Sequence, residues 1–308
     1  MAQGYPRESN ALSTLVWGVV AIGIGVYRLI GPSAGPLSVT AKIVGVGCIV
    51  FGVLLLLSGL LLMRLRKTVA AAARRTIELN KAIYSGTHER EIVGPGAIST
   101  AGLDRGFYDR TTTALEQLGF ARQGDFVNVT LRRAMPNTHA VIRAMIGDGG
   151  QIACAVYHAR HAVGARTIDS RVVEMETELS TGEFITTSNA TLAGKTSEFI
   201  GISRRFLPAD TSAANLLAAH RQHVADGLAE KPGAEVVTIH NFAELEASQD
   251  RLQMVKVRFR NSFDFDPAAE IRKVAGRPLN GAQEEFATET KRLHAQRVAG
   301  RNGQSPTA

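Results

Sequence analysis

The sequence predicts an α+β protein: an N-terminal two-helix transmembrane hairpin followed by a cytoplasmic antiparallel sheet packed with helices. Three observations carry that prediction. Two long apolar runs occupy the first sixty-odd positions. Several later segments alternate apolar with polar residues and are joined by turn signals. Helix-patterned stretches flank them on both sides.

The apolar runs come first. Leu12–Ile30 carries a single charge, Arg28, near its end, and Ala41–Met63 carries only Lys42, at its start. At about 1.5 Å per residue each covers a hydrocarbon layer of about 30 Å. Neither shows the polar stripe of a soluble core helix, and a second run so soon after the first argues against a cleaved signal peptide. Two prolines and two glycines in Gly31–Thr40 turn the chain back between them. Ala21 with Gly25 and Cys48 with Gly52 have the four-residue spacing that lets membrane helices approach closely. No acid, histidine or mid-span base marks an ion path through this hairpin.

Charge then sets the topology. The chain has 308 residues and a formal net charge of +7. Arg64, Arg66, Lys67, Arg74 and Arg75 follow the second run without an intervening acid, and residues 76–308 balance to zero. A cationic cluster after the second span places it, and with it both termini, in the cytoplasm, and sets these five side chains against anionic headgroups. Because the excess is local, a general nucleic-acid face is disfavoured. Two cysteines exclude a disulfide-stapled secreted scaffold. On this topology the sequons at Asn128 and Asn189 are chance matches.

The expected organisation is a short cytoplasmic N-terminus (1–10), the hairpin (11–63), a basic juxtamembrane helix (64–84), a linker (85–102), a cytoplasmic α+β domain (103–240), C-terminal amphipathic helices (241–298) and a disordered tail (299–308). The linker is read from Gly94-Pro95-Gly96 and the lack of period around it. Leu103, Phe107, Ala114 and Leu118 share a helix face that ends near Gly119. Val127, Val129 and Leu131 alternate in a strand over 126–133. Ala140–Ile146 and Gln151–His158 flank Asp148-Gly149-Gly150, and Arg171–Leu179 and Glu183–Ser188 flank Ser180-Thr181-Gly182: two hairpins. Residues 190–208 are irregular, and a helix runs from about Asp210 to Leu228. Residues 235–239 are placed as an edge strand, and Asn241 with Glu244 opens a helix striped by Leu245, Leu252, Val255 and Phe259. A last helix spans about Gly281–Val298.

The chemistry-bearing residues divide into four groups. His220 and His223, i and i+3 on a helix, can chelate a metal, but no third ligand or cysteine pair accompanies them. His158 and His161 have the same spacing at a strand end, where they face opposite ways. Cys154 sits between alanines, which reads as hairpin core and not as a nucleophile. Glu174, Glu176 and Glu178 put three carboxylates on one strand face, read as a wet face and a docking surface more readily than as an acid–base pair. The basic helix over 242–262 either packs on the acidic domain, lies on the membrane or binds a partner helix. Phosphate loops, nucleophile elbows and kinase signatures do not occur.

Leu118-Gly119-Phe120, the Asp148-Gly149-Gly150 hairpin, Thr186-Thr187-Ser188-Asn189-Ala190 and the Leu216…His220 helix lie in a stretch, about Leu118–Val224, that resembles the cytoplasmic part of uncharacterised bacterial two-span membrane proteins. The resemblance implies a domain type and an inner-membrane location, and no activity or site residue.

Together these readings predict an inner-membrane protein whose cytoplasmic domain binds a protein or small ligand, as scaffold or sensor. The lipid bilayer and a protein partner or second copy are its expected companions, and no cofactor, catalytic residue or nucleic acid is called for. The alternatives are a membrane-tethered hydrolase using His158, His161 or Cys154, and an oligomerising membrane effector.

Overall fold

The computed structural model describes residues 8–30, 39–94, 96–163, 166–190, 199–275 and 277–302. The chain divides into two compact units, Met1–Arg74 with Asn280–Glu289 and Arg75–Leu279 with Thr290–Ala308.

The first unit contains α1 (Glu8–Ile30) and most of α2 (Val39–Ile83), the two apolar runs. Most of the expected turn between them, and the start of the N-terminal segment, lie outside the described residues. α2 continues without a break through the cationic stretch, which has strong helix formers and no proline or glycine to stop it. Among the described residues one stretch, Val46–Ile83, is long and apolar enough to cross a membrane; the apolar stretch described in α1, Ser13–Ile24, is shorter. The helices approach closely at Gly18 and Gly52. A Cβ on Gly18 would lie 2.9 Å from the Gly52 carbonyl oxygen, and one on Gly52 2.6 Å from that of Gly18. The small-residue spacing thus picked out Gly52 and missed its counterpart. Trp17, Phe51, Leu57 and Leu61 are exposed on the outside of the pair.

The second unit is built on one seven-stranded sheet, with order β1-β2-β3-β4-β5-β6-β7. The strands are β1 (Arg90–Val93), β2 (Ala121–Asn128), β3 (Thr138–Gly147), β4 (Ile152–Val163), β5 (Arg166–Glu178), β6 (Phe184–Ser188) and β7 (Ile202–Phe206). All pairs are antiparallel except β6–β7, which is parallel, so the sheet is mixed. Both hairpins form. In the first, Gly149 and Gly150 take φ of +66° and +93°, which glycine reaches without strain.

Helices α3 (Ala97–Thr100), α4 (Arg105–Gln117), α5 (Val129–Ala134), α6 (Ala213–Ala229), α7 (Phe242–Arg260), α8 (Pro267–Ala275) and α9 (Gly281–Asn302) complete the chain. α4 and α6 cover one face over Leu115, Met145, Met175 and Leu216. α4 buries Tyr108, Thr112 and Leu115 most deeply, and Phe107 and Leu118 of the predicted stripe pack, partly buried, against the same core; the polar atoms of the buried face are satisfied. The Tyr108 hydroxyl donates to the Val141 carbonyl and accepts from the His158 amide, and Arg143 donates to Thr112.

Several expected elements differ. Residues 85–102 are no simple linker: β1 pairs with β2 through partners far along the chain, Glu91 with Val127 and Ile92 with Phe126, which local pattern does not reveal. The strand over 126–133 stops at Asn128, whose side chain accepts from the Leu131 amide and starts α5. β7 emerges from the region read as irregular. Residues 235–239 make one bridge, Leu179 with Val236, and no strand. α6 begins after Ser212, which caps the Asn215 amide, and not at Asp210. α8 is missing from the sequence reading although Asp266 accepts from the Ala268 amide and Pro267 fits the first turn. α9 reaches Asn302, into the expected tail, and residues 303–308 lie outside the described ones. The Asn241–Glu244 box forms: Asn241 accepts from the Glu244 amide and Glu244 from the His240 amide.

The largest correction concerns the second face of the sheet. It is not wet. α7 lies across it, with Leu245 against Phe126, Ile146 and Ala153, and with Leu252 and Val255 against Phe184, Phe199 and Ile202. Of the three readings of the basic helix, packing on the acidic domain is the one realised.

Candidate functional site

The three glutamates of β5 meet three different fates under α7. Glu178, 5% exposed, is held by Arg251 through Nε–Oε1 at 2.6 Å and Nη2–Oε2 at 2.8 Å, and accepts from the Ser248 hydroxyl at 2.7 Å. Glu176, 8% exposed, accepts a hydrogen bond from the Gln249 amide. Glu174 is half-buried, and its charge bears on the Tyr157 hydroxyl. The expected docking face therefore does not stand open. An alternating charge pattern looks the same whether water or a complementary helix covers it, and here Arg251, Ser248 and Gln249 supply the complement.

Between α7 and the sheet the covering is incomplete. A cavity of about 730 Å³ opens there and is also lined by residues of α3 and α5; under α7 it is bounded by Glu174, Glu176, Tyr157 and Ile142 from the sheet and by Leu245, Gln249, Gln253 and Lys256 from the helix. Its floor follows from the sequence. Ala140 faces Ala159, Ala144 faces Ala155, and Ala153 stands beside Ile146 and Glu176. Five alanines at alternate positions of two central strands leave missing volume where larger side chains would meet the helix. The size is that of a small-molecule site, with apolar walls and a few convergent polar groups.

The electrostatics are uneven. Burial, and then the neighbouring Glu174 charge, push the Glu176 carboxyl up to about 7 against the opposing pull of Lys256, Gln249 and Arg204. Burial raises the Tyr157 phenol well above its usual range, with Glu174 and Glu176 acting in the same direction. Burial lowers the His88 imidazole, which also lines the cavity.

The other predicted site residues do not converge. His220 binds Thr177 and Thr187 through its two ring nitrogens, and His223 binds Thr187 and Ser203. Burial lowers His220 to about 3. All four nitrogens of this pair are occupied by hydroxyl groups, and among the described residues no cluster of three His, Cys, Asp or Glu could hold a metal. His158 accepts from the Asp104 amide at Nδ1 and meets Asp169 at Nε2, so neither nitrogen is left for base catalysis. His161 lies on the opposite face, against Thr138. Cys154, 2% exposed, packs with Met145 and Met175, and burial raises its thiol far out of the reactive range. In the first unit Arg64, Lys67 and Arg74 are exposed, and Arg66 lies 3.6 Å from Glu285; Arg75, in the second unit, is also exposed.

Sequence reasoning missed the residues that build the cavity: Tyr157, Gln249, Gln253, Lys256 and the alanine floor. The available signal was the alternating alanines of β3 and β4, which pack nothing by themselves. Comparison of the chain with protein-family models, curated proteins and solved structures finds no match. What the geometry defines is a mixed-sheet α+β domain, covered by helices on both faces, with a ligand-sized cavity under one of them.

Proposed function

We propose that this chain is a membrane-anchored cytoplasmic binding domain that takes a small ligand into the cavity beneath α7, as a sensor or scaffold. The observation that carries the reading is the cavity of about 730 Å³ with apolar walls and two carboxylates inside it. A packed domain of this kind keeps few voids larger than a water molecule, so a recess of that volume on the central strands calls for an occupant.

In this reading α1 and α2 cross the inner membrane together as a hairpin, both termini lie in the cytoplasm, and the cationic residues from Arg64 to Arg75 meet the headgroups. Support comes from the one stretch long and apolar enough to span, from the apolar side chains exposed on both helices, and from their contact at Gly18 and Gly52. The tail should resist protease added outside intact cells; cleavage there would reverse the topology.

Ligand-dependent thermal stabilisation tests the binding reading, using the full-length chain in non-ionic detergent and a library of small molecules. A ligand at a hundred times its Kd stabilises by about 2.7 kcal/mol. Ala155→Phe places a ring over the cavity floor and should abolish the stabilisation. Ligands that stabilise both proteins equally would mean that the cavity is not where they bind.

A further inference from the structure

The carboxylates inside the cavity have no close ion pair of their own, and that identifies a ligand class. Of the guanidinium groups that line it, Arg90 is taken by Asp250 at 2.7 Å and Arg132 by Glu91 at 2.9 Å. Outside the lining, Arg251 is taken by Glu178, and Arg204 lies over the Phe199 and Phe206 rings. Among the described residues Glu174 and Glu176 have no ion-pair partner within 4.0 Å, and Lys256 has none either. Inside the lining two carboxylates therefore stand with one ammonium group and in ion-pair contact with none, while the Arg204 charge reaches Glu176 from outside the lining. Beside them stand an aromatic ring, Tyr157, and the amide groups of Gln249 and Gln253.

We propose that the cavity takes an organic cation, an amine with an apolar body, whose ammonium group sits with the Glu174 and Glu176 carboxylates and the Tyr157 ring while its body lies over the alanine floor. The inference rests on the ligand-binding reading above and adds the chemistry of the ligand. A bound ammonium group would give the two carboxylates the close charge contact they lack, and a carboxylate next to an aromatic ring is the arrangement that recognises ammonium groups. An inorganic divalent ion fits poorly, since it needs six or more oxygen ligands and among the described residues no group of three His, Cys, Asp or Glu could hold one. An anion would meet the two carboxylates as well as the Lys256 ammonium group. Burial, and then the Glu174 charge, favour the protonated Glu176 carboxyl, and a bound ammonium group would replace that proton.

Isothermal titration of the full-length chain in non-ionic detergent with hexylamine, hexanol and hexanoate, after subtraction of the heats into empty micelles, tests the inference. The three probes share one apolar body and differ in charge. Hexylamine should bind about tenfold more tightly than either of the others, the ratio that one partly desolvated charge contact supplies. Glu174→Gln should reduce hexylamine to the level of hexanol while hexanol binding persists, which also shows that the variant is folded. Lys256→Gln should widen the preference for the amine. Hexanol or hexanoate binding the unaltered chain as tightly as hexylamine would overturn the cation and leave the cavity standing. Failure of all three to bind, or equal binding by Ala155→Phe, would remove the cavity reading and the cation with it.

Discussion

Glu176→Gln separates the electrostatics of the cavity from its packing. The carboxyl is 8% exposed and raised from an ordinary 4.5 to about 7, chiefly by burial and then by Glu174. At about 1.4 kcal/mol per tenfold change in a proton equilibrium, that difference is worth about 3 kcal/mol, a large part of the total stability of a domain. The sign follows from linkage. A carboxyl whose pKa is higher in the folded state binds its proton more tightly there, so its contribution is fully present below about 4.5 and is lost as pH rises through about 7. Gln resembles the protonated form in shape and never ionises. The groups that face this position are Glu174 on the same strand, Gln249 and Lys256 on α7, and Arg204 on β7, and all remain in the variant. Urea unfolding of the full-length chain at a series of pH values should therefore show no difference between the two proteins near pH 4.5. The variant should become about 3 kcal/mol more stable above pH 8. His220, lowered to about 3, contributes with the opposite sign: its stabilisation is present above 6.5 and lost as pH falls. It is common to both proteins and cancels in the difference. A difference that stays constant with pH would refute the assignment of the raised carboxyl to Glu176.

Two further substitutions test the fold on which the site stands. In the β3–β4 turn Gly149 and Gly150 both have positive φ, but a Cβ on Gly149 meets nothing within 4 Å, while one on Gly150 would lie 2.6 Å from the Ile239 carbonyl oxygen. Gly149→Ala should cost about 1–2 kcal/mol, and Gly150→Ala clearly more, because it also breaks the hydrogen bond from the Ile239 amide to Gly150, which fastens the entry to α7. Equal unfolding midpoints for the two variants would count against that close approach. In the first unit Gly52→Leu would force its Cβ onto Gly18 and Ile22 and should destabilise the helix pair by about 1–3 kcal/mol, whereas Gly47→Leu, which meets nothing within 4 Å, should leave the thermal midpoint unchanged.

The sequence by itself determined what depends on neighbours along the chain. Apolar run length predicted the helical character of α1 and α2, turn chemistry predicted both hairpins, and Asn241 with Glu244 marked the start of α7, because each signal is complete within a few residues. Asp266-Pro267 was an equally local signal for α8 and passed unread. What only the tertiary structure decided concerns which surfaces meet. The pairing of β1 with β2 and the parallel partner of β7 are contacts across long stretches of chain. Alternating glutamates on β5 carry the same pattern under water as under α7, so their burial was invisible until Arg251, Ser248 and Gln249 were seen above them. The cavity lay furthest from the sequence, since it consists of volume that five alanines leave unfilled, and empty volume exists only once a helix lies over it.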